Sequence, residues 1–312
     1  MGYTFGKGEY TFIKKASIYK GSDAEAMAEV LRKLRSFLDS AEPGIVKILV
    51  NTWQTQGNAI TYKEIREALL RGDISPEYLN EWMQDYSRFV VKYLQPAWHE
   101  AMEAAAAELA MQYPEWNFNP MADGVRSWTE QRSAEFVTSV TDTQIEGLRA
   151  VVQKAAVLQD MPVDALARAI RPMVGLTRQQ SIANLNYYTK LVENGVSEKK
   201  AKDLSIRYAA RQHRARAFNI ARTELAYAYN QGHYQGTKQA QAAGYFKRAV
   251  KVWCTADDEE RVCPICKALE GKTIDLDDEF DFKTKLTTPG IRRMPPAHPG
   301  CRCGVLIKPI ND

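Results

Sequence analysis

Apolar residues recur at helical spacing through most of the first 245 or so residues of the chain. From Ser22 to Leu38 they fall at Ala26, Met27, Val30, Leu31, Leu34, Phe37 and Leu38, one face of a helix. Ser22 with Glu25 makes a capping box at its start. Thr61 with Glu64 is a second capping box, opening a helix that stops near Gly72. Ser75-Pro76 supplies an N-cap and a first-turn proline for a long helix through Tyr78, Trp82, Tyr86, Phe89, Val90 and Tyr93. Trp82, Tyr86 and Tyr93 sit at core spacing. Pro96 is placed to kink that helix before the alanine-rich stretch Ala101 to Ala110, and Pro114 and Pro120 mark an irregular connection. Further helices are predicted over 127–140, 143–158 and 163–173. Thr177 with Gln180 opens another, ended by Asn194-Gly195. A last helix runs from about Ser197 to Ala243 with a break, closed by Gly244.

At Lys247 the period changes. Arg248 to Cys254 alternates with a period of two and predicts a strand, and Gly304 to Pro309 predicts a closing strand. Between them lie a Cys-Pro-Ile-Cys knuckle, a turn at Glu270-Gly271-Lys272 and a Pro/Gly-rich loop over Thr287 to Pro299. The expected fold is mainly α: a helical body with a small C-terminal α+β, zinc-stabilised module. The expected division is 1–122, an N-terminal helical region, 123–246, a second helical region, and 247–312, the small Cys/His module.

Composition narrows this picture. The chain has 312 residues, 45% hydrophobic and 26% charged, which is a globular and not a disordered balance. A net charge of +4 permits contact with nucleic acid without demanding it. The start, Met1-Gly2-Tyr3-Thr4-Phe5, lacks the apolar segment of a signal peptide, and no apolar run is long enough to span a bilayer. Expected, then, is a protein without a membrane anchor, made in a reducing cytosol where cysteines favour metal over disulfides.

All five cysteines lie near the C-terminus: Cys254, Cys263, Cys266, Cys301 and Cys303. Two close pairs joined by a long loop are how a chain builds a tetrahedral metal site. Cys263, Cys266, Cys301 and Cys303 would satisfy Zn²⁺, as would three of them with His298, while Cys254 stands in reserve. Such a closed site is structural and supplies roughly 10–16 kcal/mol in zinc-finger peptides. The alternatives are buried thiols without a metal, or a strained disulfide. His298 beside Asp257, Asp258 and the thiols also admits a nuclease base or a Cys/His nucleophile pair, but its rigid Pro295-Pro296-Ala297-His298-Pro299 setting favours a ligand or a hydrogen-bonded structural His. Arg207, Arg211 and Arg214 fall on one helix face, with His213, Arg216 and Arg222 nearby. That stripe suits DNA phosphates; a solvated or ion-paired face is the alternative. Gly-rich phosphate loops, His-Glu-x-x-His and Gly-x-Ser-x-Gly are absent from the sequence.

One series of residues resembles a known family. It comprises Ile220-Ala221-Arg222-Thr223-Glu224, Asn230, Trp253, Asp257 or Asp258, Arg261-Val262-Cys263, Cys266, Leu269, Gly271 and the run Pro295 to Cys303. In order and spacing this resembles the phage Mu F-like head morphogenesis family, also known as the SPP1 minor-head-protein family. Many members carry Arg and His where this chain has Cys263 and Cys266. That fits Cys266 as a ligand position and leaves Cys263 as ligand or neighbour. The resemblance implies a minor capsid protein of a tailed bacteriophage. It would be virion-located near the portal vertex, and in the host cytoplasm during assembly, with the portal protein or the major capsid protein as partner. It would act in head assembly, DNA packaging or genome delivery. The expectation is a non-enzymatic assembly protein; a double-stranded-DNA-binding module and a metal-dependent nuclease are the other readings.

Overall fold

The computed structural model describes residues 23–158, 161–256, 262–281 and 293–310, apart from the Tyr78 side chain. Ser22 of the first expected capping box, Asp257, Asp258, Arg261 and residues 287–292 of the expected Pro/Gly-rich loop lie outside them.

The described chain is mainly α-helical, with one small sheet near its C-terminal end. Helix α1 spans Ala24–Ala59, well past the Leu38 end expected from sequence. It passes through Pro43 because the apolar stripe continues at Ile45, Leu49 and Trp53, all buried. Pro43 and Asp39 are exposed, so the carbonyl that Pro43 cannot satisfy lies toward water. Helix α2, Tyr62–Arg71, opens on the Thr61–Glu64 capping box, with both reciprocal bonds formed. Helix α3, Pro76–Phe89, starts on the Ser75 cap. A π-helical turn, Val90–Leu94, leads into α4, Gln95–Gln112. The irregularity expected at Pro96 is thus a widened turn just before it, in which the Gln95 N–H bonds Val90 O.

Helix α5, Asp123–Ala156, is a single 34-residue helix where two were expected. Thr141, Asp142 and Thr143 have weak helix propensity, but Val140, Gln144, Leu148 and Val151 are buried on either side of them, and packing overrides propensity. Helix α6, Val163–Ile170, and a 3₁₀ turn, Arg171–Met173, precede α7, Arg178–Glu193, which carries the expected Thr177–Gln180 box. Helix α8, Glu198–Ala242, runs 45 residues without the expected break. At about 1.5 Å per residue it is roughly 68 Å long. Its glycines serve close approach instead: a Cβ on Gly232 would collide with the Met102 main chain in α4.

The sheet has strand order β2-β1-β3, all antiparallel, from β1 Arg248–Cys254, β2 Thr273–Asp275 and β3 Gly304–Ile310; the short helix α9, Pro264–Leu269, lies between β1 and β2. Val252, Cys254 and Leu306 pack on Met27 and Leu31 of α1. Ala249 and Ile307 pack on the other side with Ala106, Trp116 and Ala240. Both faces of β1 are therefore covered. Lys251 is fully buried there, and its Nζ donates to Leu276 O at 2.8 Å and Asp278 O at 2.7 Å. Burial pushes its ammonium down to about 8. No helix among the described residues is long and apolar enough to cross a membrane.

Candidate metal centre

The first half of the site is built on α9. Cys263 is its N-cap, and its Sγ accepts the Cys266 N–H at 3.4 Å. Pro264 takes the first helical position, where its missing N–H costs nothing. One turn of helix thereby brings the two sulfurs to the same side. The second half is the segment ahead of β3, where Cys301 N–H closes a turn on His298 O at 3.1 Å. His298 Nδ1 lies 3.0 Å from Pro299 O, so Nδ1 carries the proton and the Nε2 lone pair is free to bind. Nε2 faces the first half, 3.0 Å from Cys263 Sγ and 3.6 Å from Cys266 Sγ.

Two groups of three donors result, Cys263/Cys266/His298 and Cys266/Cys301/Cys303, each with its ligand atoms within 4.8 Å of one another. Cys266 belongs to both. Its sulfur lies 3.6 Å from that of Cys301. Zinc–sulfur bonds of about 2.3 Å set a tetrahedral S–S edge of about 3.8 Å, so this spacing suits one shared cation. Cys266, Cys301 and Cys303 are buried, whereas Cys263 and His298 are half-buried. Hydrogen bonds from the Cys266 and Cys303 thiols hold Cys301 well below the ordinary thiol range. Bonds to Cys301 and Cys303 correspondingly push Cys266 up. A bound cation would let all of the clustered thiols ionise. All five cysteines are free, so the disulfide alternative is not realised. Cys254 takes no part. It is buried toward α1, its thiol bonds Val252 O at 3.5 Å, and burial raises its pKa.

Three consecutive residues of α8 tie this site to the helical body. Arg222 holds Glu42 of α1 at two points, 2.6 and 3.0 Å, with Asp39 at 3.6 Å. Thr223 Oγ1 accepts the Gly300 N–H at 3.0 Å. Glu224 holds Arg132 of α5 at two points, one of them 2.9 Å. Further along, Asn230 Nδ2 reaches Cys303 O at 3.5 Å.

Residues 163–306 match the family model of Phage Mu protein F like protein. The resemblance read across roughly Val174 to Ile310 is thereby shown over residues 163–306. No curated protein and no solved structure matches the chain. The Mu F-like region runs from α6 into β3 and holds every candidate ligand, together with the Arg222, Thr223 and Glu224 clamps. Glu42 and Arg132, which two of those clamps grip, precede it.

On the outer side of the Mu F-like region, Arg207, Arg211 and Arg214 are exposed, and none has an ion pair among the described residues. Arg211 stacks over Tyr208 at 5.6 Å, and Tyr208 lies 5.0 Å from Tyr187 of α7. The residues that sequence grouped with this stripe point elsewhere. His213 is buried with Nε2 2.8 Å from Val174 O, and Arg216 is buried on Gly175 O and over the Trp53 ring. A helical wheel separates the two sets. Arg207, Arg211 and Arg214 fall on the side that faces water, while His213 and Arg216 share the side of Ala209 and Ala217, both buried.

Proposed function

We propose that the protein is a minor head component of a tailed bacteriophage that acts by position and not by turnover. Its place would be near the portal vertex, with the portal protein or the major capsid protein as partner, in head assembly, DNA packaging or genome delivery. The observation that carries the reading is the family match over residues 163–306, which points to a phage head or morphogenesis protein. The metal centre supports it. Its donors close on one another, and the imidazole lone pair of His298 is turned into the thiols and not toward a substrate cleft. Zinc is the cation this soft sulfur-and-imidazole set favours, in a structural role. Mass spectrometry of purified particles, with a portal pull-down beside it, tests the reading. The protein should be found in the particle and retained on the portal. Its absence from particles, or nuclease activity of the purified chain, would overturn it.

A second reading is favoured by the exposed arginines of α8. Arg207, Arg211 and Arg214, with two tyrosines alongside, form a surface suited to duplex phosphates. Replacing the three by Ala should lower duplex affinity and flatten its salt dependence, because each lost phosphate contact removes released counterions. Unchanged affinity would leave them a solvated face.

A further inference from the structure

The segment that carries His298, Cys301 and Cys303 does little to hold itself. Among the described residues, its one internal backbone hydrogen bond over 293–303 is Cys301 N–H to His298 O. Beyond the β3 pairing that begins at Gly304 and the Ala256 N–H on the Cys303 thiol, its polar support comes from α8. Thr223 Oγ1 donates to Asn219 O at 2.6 Å, which commits the hydroxyl proton to the helix and leaves its lone pairs for the segment. Gly300, between His298 and Cys301, gives its N–H to that oxygen at 3.0 Å. The φ of Gly300 is +74°, a backbone state that glycine adopts freely, and this aims the N–H at α8. Two turns on, the fully buried Asn230 donates through Nδ2 to Ala226 O at 2.8 Å and to Cys303 O at 3.5 Å. The main chain is therefore gripped on both sides of Cys301, once through an N–H and once through a carbonyl.

We infer that Thr223 and Asn230 are positioning residues of the metal centre. They touch no ligand atom. They fix the main chain from which His298, Cys301 and Cys303 project, and so make metal affinity depend on the helical body. The ligands of α9 have a helical turn to hold them, whereas those of this segment lean on α8 and on the start of β3. Partners of this outer kind are worth about 10–100-fold in metal affinity. The inference rests on the metal reading above.

The full chain is titrated with Zn²⁺ against a chromophoric chelator, and with Co²⁺ for its thiolate charge-transfer absorption. Wild type should take up one ion. Thr223→Val keeps the side-chain shape and removes the acceptor; it should bind about 10–100-fold more weakly with an unchanged helical signal. Thr223→Ser restores the oxygen and should bind close to wild type, while Asn230→Leu should weaken binding as Thr223→Val does. Should Thr223→Val lose its helical signal, Thr223→Ala against Thr223→Ser makes the same comparison. Equal metal affinity with and without the hydroxyl overturns the inference alone. A wild-type chain that binds neither ion overturns the metal reading, and the inference with it.

Discussion

Glu224 of α8 and Arg132 of α5 form a two-point ion pair whose side chains are only 5% and 15% exposed. The guanidinium also lies 4.8 Å over the Tyr227 ring and bonds Glu135 at 2.9 Å. With Arg222 on Glu42 and Thr223 on Gly300, one turn of α8 holds α1, the ligand segment and α5 together. The Mu F-like region is thus seated on helices that precede it.

Removing one partner of that pair leaves a buried charge half-compensated. Glu224→Gln is expected to cost about 3 kcal/mol, at the lower end for a broken buried pair because Glu135 remains. Replacing both partners by apolar residues of similar size should recover much of the loss. A double-mutant cycle in urea denaturation measures the coupling; additive effects would refute the pair's role.

Metal removal should act locally. Protein purified without added metal is expected to contain about one zinc per chain by elemental analysis. Chelation should change the near-ultraviolet signal of Trp253, which packs with Phe280, Cys266, Cys301 and Cys303. The far-ultraviolet helical signal should largely persist, since the main core is formed by helices α1 to α8. Five freely titratable thiols in native, metal-free protein would contradict this.

Two helical glycines should respond to alanine with opposite signs. Gly44 in α1 has nothing within 4 Å of an added Cβ, so Gly44→Ala should stabilise by about 0.5–1 kcal/mol through chain entropy. At Gly232 in α8 the same atom would press into the Met102 backbone, and Gly232→Ala should destabilise by about 1–3 kcal/mol through overpacking. Thermal melts of the two variants decide the signs.

Acid should weaken the body through His213. Burial lowers its pKa from 6.5 to about 4. The unfolded chain therefore binds this proton first, as pH falls. Stability linked to His213 is complete above pH 6.5 and is lost progressively down to about pH 4. At about 1.4 kcal/mol per unit, that is on the order of 3 kcal/mol. His213→Gln should show a correspondingly shallower loss between those pH values in urea titrations. An identical pH slope in both proteins would exclude His213 as the source.

Local elements and the chemistry they carry are legible in the residues alone. The capping boxes at Thr61 and Thr177, the Ser75 cap, the β1 strand and the pairing of Cys263 with Cys266 are written in residues close to one another along the chain. Long-range packing is what carries α1 through Pro43, keeps α5 and α8 unbroken, and turns Cys254 to α1 while the other thiols converge. It also chose the partners of Arg222, Thr223 and Glu224, which lie 180, 77 and 92 residues away. The reason is physical. Caps and periodicity act through neighbouring backbone groups, so a short window contains both partners. Helix continuity and long-range pairing depend on which surface is buried against which, and the penalties at Pro43, Thr141 or Gly232 are offset by burial contributed from distant chain.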